Sequence, residues 1–277
     1  MSLSTLTPLK LAEVETYLRH QAPANAVLAT CLHNTEEPDL SQWQGLASMQ
    51  SIRRYHMETK GWSDIAANFY VDASRVWTAR PLDATNWCHA YVQASRQYAD
   101  WSAVHPNARR LCGDDRSWLN HHAIGVEVVG RFDRDDPATS PSMALAIDLF
   151  ALMHRVYNLP LDNLLFHRMV EYKTCPGTRV SLDWFRGEVA KPLGQPAPTP
   201  LAVIAPNGQP LACNAALVGD ETWVDLGALL PALAGKALEL RRHTAEGPSR
   251  CKLREVAESF GFKLATNEWP TVRITKL

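Results

Sequence analysis

Four prolines, Pro192, Pro196, Pro198 and Pro200, crowd into Lys191-Pro-Leu-Gly-Gln-Pro-Ala-Pro-Thr-Pro200. Each fixes its own φ and gives up a backbone donor, so the stretch can neither continue a helix nor lie inside a sheet. It favours an extended, semi-rigid spacer. The 277-residue chain therefore reads as a first domain over residues 1–190, a linker at 191–200 and a small module at 201–277. With 46% hydrophobic and 21% charged residues, a folded core is expected and a disordered chain is excluded. Lys and Arg number 28 against 29 Asp and Glu, which leaves no basic excess for a nucleic acid.

No apolar stretch approaches the ~18 residues of a membrane span. Met1-Ser-Leu-Ser-Thr-Leu-Thr-Pro8 lacks the basic start and apolar run of a secretory signal, so the expected place of synthesis is the cytoplasm. The six cysteines are scattered, which suits buried thiols and one metal ligand better than a disulfide framework.

Periodicity predicts an α/β first domain, a central mixed sheet covered by helices. Ala26-Val-Leu-Ala-Thr-Cys-Leu32 reads as a buried strand ending at His33, and Gln42 to Thr59 as a helix. Phe69–Val71 and Arg75–Thr78 read as a short hairpin, Ile124–Val129 as a strand and Ser142–Tyr157 as a helix. Residues 84–120 are aperiodic and rich in Trp, His and Asn, and so are expected to form surface loops. In the second module, Leu201–Ala205 and Pro210–Cys213 flank Pro206-Asn-Gly208 as a hairpin. Leu253–Phe260 reads as a helix and Thr271–Thr275 as a strand, giving a small α+β module.

Among ten histidines, those that follow a strand are the ones placed to form a site. His33 is one, and His167, after Asn163-Leu-Leu-Phe166, is another. Cys175 follows in Lys173-Thr-Cys-Pro-Gly177, a turn stiffened by Pro176 and permitted by Gly177. Two imidazoles and a thiolate fill three positions of tetrahedral Zn²⁺ and leave the fourth for water. Against this stands the plainer reading that a lone histidine is a surface residue or a satisfied core one.

The stretch Met49-Gln-Ser-Ile-Arg-Arg-Tyr-His-Met-Glu-Thr-Lys-Gly-Trp-Ser-Asp-Ile-Ala-Ala-Asn-Phe-Tyr-Val71 resembles the zinc-dependent N-acetylmuramoyl-L-alanine amidases of type 2, which share a superfamily with the peptidoglycan recognition proteins. The resemblance lies in the order of its parts: a strand-ending His, a helix ending in Tyr-His, Gly-Trp-x-Asp-Ile, an Asn-Phe strand and an Ile-Gly-x-Glu strand. A later His and a Lys-x-Cys-Pro-Gly turn complete it, and the match spans roughly residues 25–190. It implies His33, His167 and Cys175 as zinc ligands, Glu127 as acid–base group and Lys173 as the residue facing the oxyanion; the plainer readings are an ion-paired strand-edge carboxylate for Glu127 and a solvated side chain for Lys173. Ala67 stands where many catalytic members carry Tyr, so Glu127 is expected to take over that duty.

The implied activity is hydrolysis of the bond between N-acetylmuramic acid and L-alanine in peptidoglycan or muropeptides, as in an endolysin or autolysin. The alternative is a non-catalytic peptidoglycan-binding protein; such members usually lose the ligand cysteine, which is kept here. His56 reads as structural and Trp62 as core. At most one of His121 and His122 is expected in the cleft, since neighbours on a strand face opposite ways. Trp87, Trp101 and Trp118 are candidates for stacking on sugar rings. The second module is similar to the stalk-like domain at the amino end of copper amine oxidases, through Asn207–Leu211, Lys252–Lys263 and Thr271–Thr275, and offers no metal cluster.

Overall fold

The computed structural model describes residues 5–82 and 90–194, and beyond these the backbone of six strands between residues 199 and 276. The chain divides into two compact units, Met1–Gln195 and Pro196–Leu277.

The first unit is built on a mixed sheet of six strands in the order β1-β4-β3-β5-β2-β6. These are β1 (Pro8–Leu9), β2 (Ala29–Asn34), β3 (Phe69–Val71), β4 (Val76–Thr78), β5 (Ala123–Val128) and β6 (Leu164–Phe166). β3, β5, β2 and β6 run parallel, whereas β4 and β1 are antiparallel additions at one edge. The helices are α1 (Leu11–His20), α2 (Leu46–Arg54), α3 (Pro106–Cys112), α4 (Trp118–His122), α5 (Pro141–Val156) and α6 (Leu182–Ala190). Among the described residues, no helix is long and apolar enough to cross a membrane.

Strand alternation decides what each face of the sheet carries. On one face lie Thr30 and Leu32 of β2, Ile124 and Val126 of β5, Phe69 of β3 and Phe166 of β6. This face takes the helices. Tyr17 of α1 meets Phe69 edge-on at 5.9 Å, and Phe185 of α6 meets Phe166 at the same separation. Between them lies α5, capped by Ser140 with Pro141 in its first turn, and burying Met143, Ala146, Leu149, Phe150 and Met153. The opposite face presents Cys31, His33, Glu127, Tyr70 and Trp77. There α2 covers only the Tyr70 and Trp77 end, where Met49, Ile65 and Ala67 complete a smaller apolar cluster. The His33 and Glu127 end is left for the site.

His154 of α5 is a polar insertion in the main core. It is 2% exposed, with Nε2 2.9 Å from Thr30 Oγ1 and Nδ1 3.1 Å from the Leu159 carbonyl. Burial lowers its pKa from 6.5 to about 4. Between those values the unfolded chain binds a proton that the folded chain refuses, so stability falls as pH drops from about 6.5 to about 4. His154→Gln should remove roughly 3 kcal/mol of that loss. His56, also lowered to about 4 by burial, leaves a residual slope. Urea unfolding across this pH range checks the claim, and unchanged slopes in the variant would contradict it.

Several expectations need correction. The helix predicted from Gln42 starts only at Leu46, because Asp39 accepts from the Ser41 and Gln42 amides in a turn and Gly45 adopts φ +58°. It ends by widening into a π turn at Tyr55–Thr59. Residues 90–120 are not simply surface loop: α3 and α4 form there, and Ala90, Val104, Ala108, Cys112 and Leu119 join the main core. His121 and His122 lie at the end of α4 rather than on a strand. α1 was not foreseen.

In the second unit, β7 (Thr199–Ile204), β8 (Pro210–Val218), β9 (Glu221–Asp225), β10 (Arg250–Lys252), β11 (Phe262–Glu268) and β12 (Thr271–Lys276) form one sheet, ordered β10-β9-β8-β7-β12-β11. The β7–β8 hairpin and the last strand agree with the sequence reading. β7 begins inside the predicted linker, with Pro200 opposite Ala216. The helix expected at 253–260 lies outside the described residues.

Candidate active site

The site forms where the parallel strands end. His33 lies one residue before the end of β2, directly opposite Glu127 of β5, and Glu127 is in turn opposite Tyr70 of β3. Residues paired in register share a face, so the three side chains stand in a row. His33 Nδ1 is 4.0 Å from Glu127 Oε1. β6 pairs Phe166 with Leu32, which places His167, the next residue, beside His33. Their ring centroids are 4.3 Å apart.

Cys175 is delivered by the turn after His167. The Arg168 amide donates to the Cys175 carbonyl at 2.9 Å, and the Arg168 guanidinium donates to the Gly177 carbonyl at 2.8 Å. Asp133 clamps the other side, accepting from Thr174 Oγ1 at 2.8 Å and the Thr178 amide at 2.7 Å. Gly177 has φ +118°, and a Cβ there would lie 2.4 Å from the Phe132 carbonyl carbon, so no side chain fits.

The ligand atoms of His33, His167 and Cys175 all lie within 4.8 Å of one another. Donors bound to one zinc at about 2.0–2.3 Å sit roughly 3.3–3.8 Å apart, so the cluster needs about 1 Å of closing. The donor set fits the ion. Burial holds His167 well below its ordinary pKa, keeping the ring neutral as a ligand must be. Burial, reinforced by the charge of Glu127, pushes the Cys175 thiol up, so a thiolate here requires a neighbouring cation. Glu127 is 8% exposed, and its Oε2 has no hydrogen-bond partner among the described residues. Burial raises its pKa to about 8, while Lys173 pulls the other way.

Lys173, expected to face the oxyanion, is held by Glu171: Nζ and Oε2 are 3.0 Å apart. Glu171 is fully buried and was not singled out from the sequence, although it stands between His167 and Lys173 within the same stretch. Tyr91 was also missed. Its ring lies 6.3 Å from that of His33 and 5.9 Å from that of His167, with Lys173 Nζ 5.8 Å from the ring centre. A phenol thus reaches this region from a segment whose sequence gave no periodic signal, near a site where Ala67 lacks one.

Beside the cluster opens a cleft of about 710 Å³ lined by Lys60, Trp62, Tyr91, Gln93, Arg96 and Asn120. Trp62 is therefore cleft wall, not core, and packs edge-on against Tyr91 at 4.4 Å. His56 has the structural place expected of it, accepting from the Ala66 amide at 3.2 Å. His121 and His122 lie outside the ligand cluster, and His122 bonds the Ala26 carbonyl. Trp101 donates to the Gly113 carbonyl at 2.7 Å and Trp118 packs on His122; neither lines the cleft. Trp87 lies outside the described residues.

The parallel strand ends of the mixed sheet thus gather two buried histidines and a half-buried cysteine at one point. Residues 23–178 match the family model for N-acetylmuramoyl-L-alanine amidase, and the chain belongs to that family, amidase type 2. Among curated proteins, no relative matches.

Similar solved structures include wild-type Drosophila PGRP-LB, at 18% identity over 56% of this chain and 77% of that one, with a TM-score of 0.40. The endolysin amidase LysCS from Clostridium intestinale is 19% identical over 70% and 91%, with a TM-score of 0.37. The Ph2119 endolysin, from a bacteriophage of Thermus scotoductus, is 20% identical over 65% and 95%, with a TM-score of 0.36.

Proposed function

We propose that this chain is a zinc-dependent amidase that hydrolyses the bond between the lactyl group of N-acetylmuramic acid and L-alanine, in peptidoglycan or soluble muropeptides. The observation that carries the reading is the convergence of His33, His167 and Cys175 within 4.8 Å, beside a buried carboxylate. In a domain used only to bind peptidoglycan, neither a thiol beside two buried histidines nor Glu127 facing His33 would have a task.

When bound, zinc polarises the amide carbonyl and lowers the pKa of water to about 7. Glu127 takes the proton of the attacking water as the new C–O bond forms, and returns it to the alanine nitrogen as the C–N bond breaks. A carboxyl with a pKa of about 8 in the metal-free site, drawn down by a nearby cation, is matched to both transfers near neutral pH. Lys173, held in place by Glu171, supplies positive charge where the carbonyl oxygen turns negative. The cleft beside the cluster, with Lys60 and Arg96 on its wall, has the size and charge to hold an acidic stem peptide.

Every residue of this machinery precedes the linker, and the second unit is proposed as an accessory module. We further propose synthesis in the cytoplasm and action on the wall after release. Stripping the metal with a chelator should abolish release of L-alanine-ended peptide from a soluble muropeptide, and zinc alone should restore it. A chain ending at Gln195 should behave the same way. Full activity in the chelated protein would overturn the zinc reading, whereas a truncated chain that fails to take up zinc would overturn the division of labour.

A further inference from the structure

We infer that Glu171 is the positioning residue of this site: its carboxylate fixes the His167 ring so that Nδ1 is the nitrogen offered to the metal, and ties Lys173 and the 91–97 segment to the same point. The metal half of this inference rests on the zinc reading above, while the half concerning the ring stands without metal.

Glu171 is 0% exposed. A carboxylate so deeply placed is costly unless charge and donors surround it. Lys173 Nζ and His167 Nε2 both lie 3.0 Å from the same oxygen, Oε2. The second oxygen, Oε1, accepts the backbone N–H of Gln93. A carboxylate can only accept, so the imidazole nitrogen that faces it must carry the ring proton. An imidazole that binds a metal is the neutral ring, with one proton and one free lone pair. The His167 proton therefore sits on Nε2, which leaves the lone pair on Nδ1.

In metal sites, the hydrogen bond made by one ring nitrogen sets which nitrogen binds the ion. Nε2 and Oε2 are at contact distance but out of line for a good hydrogen bond. A small ring rotation aligns them, a movement compatible with the roughly 1 Å closing that the ligand cluster needs.

The same residue also anchors the cleft wall. Glu171 bridges to Gln97, and the Tyr172 amide donates to the Arg96 carbonyl at 3.0 Å. With the Gln93 amide on Oε1, three contacts fasten the segment that carries Tyr91 and Arg96 to the residues immediately after His167. One carboxylate thus couples a ligand ring, the oxyanion cation and the wall of the cleft.

The test uses the full chain. In metal-free wild type labelled with ¹⁵N-histidine, long-range ¹H–¹⁵N spectra at neutral pH should show His167 as the Nε2–H tautomer. Chelator competition should show zinc held about 10-fold more weakly by Glu171→Gln and towards 100-fold more weakly by Glu171→Ala, the range typical of an outer partner of a ligand histidine. An Nδ1–H tautomer in the wild type would overturn the inference. So would a folded Glu171→Gln whose zinc affinity lies within two-fold of wild type. If Glu171→Gln does not fold, the wild-type tautomer decides. If the wild type takes up no zinc, the zinc reading fails, and the tautomer still judges Glu171.

Discussion

Cys175→Ser should empty the metal site, taking zinc from about one equivalent to almost none and amidase activity down by ~10³-fold or more. The thiol is half-buried in surroundings that push its pKa up, where a cation makes its thiolate stable, and a serine hydroxyl gives up its proton far less readily. Two imidazoles would remain, too few to hold the ion against water. The turn itself should survive, since Arg168, Asp133 and Gly177 hold it through backbone and side-chain contacts that do not involve the sulfur. Elemental analysis gives the zinc content, and circular dichroism checks the fold. Full occupancy in a folded variant would remove Cys175 from the ligand set.

Glu127→Gln is the second large effect. The substitution keeps size and shape while removing the group that accepts and returns a proton. Turnover should fall by about 10²-fold or more, the range of general acid–base catalysis, with zinc content unchanged. Because Glu127 lies 4.0 Å from His33, zinc affinity must be measured beside turnover, so that loss of metal is not read as loss of chemistry. Activity within a few-fold of wild type would move the acid–base role elsewhere. Tyr91 would then be the first residue to examine, since its ring already faces both histidines.

What the sequence disclosed follows from where each signal is written. Apolar runs in Ala26–Leu32 and Ile124–Val129 announce buried parallel strands, and the strand ends place His33 and Glu127. The Gly-Trp-x-Asp-Ile stretch that helps carry the family likeness proves to be mostly scaffold. Asp64 pairs with Arg53 at 3.0 Å and accepts from the Ile65 amide, while Arg80 donates to the Ile65 carbonyl. Asn68 bonds the Gly125 amide and the Arg80 carbonyl, locking β3 to β5. These residues hold the backbone around the site and do not belong to the ligand cluster.

Other features had no local signature. α1 has only Val14 and Leu18 fully buried in ten residues, so its apolar stripe is narrow. The cleft wall from Tyr91 to Arg96 acquires its place through Glu171, nearly 80 residues away in the chain, and no periodicity records such a contact. Trp62 read as core because tryptophans are usually well buried, yet its neighbour in space is Tyr91, whose position the sequence did not reveal. Glu171 was legible in principle: a carboxylate between a candidate ligand histidine and a lysine, within one short turn, has few places to go.

Hydrolysis of a defined muropeptide in H₂¹⁸O tests the central claim most directly. The account predicts that zinc-loaded protein releases a peptide with a free L-alanine amino end, and that the heavy oxygen appears in the lactyl carboxylate of the sugar fragment. It also predicts that Cys175→Ser releases neither product. An intact muropeptide recovered after binding would contradict the account and make the chain a recognition protein, and heavy oxygen at a sugar reducing end would place the cleavage at a different bond.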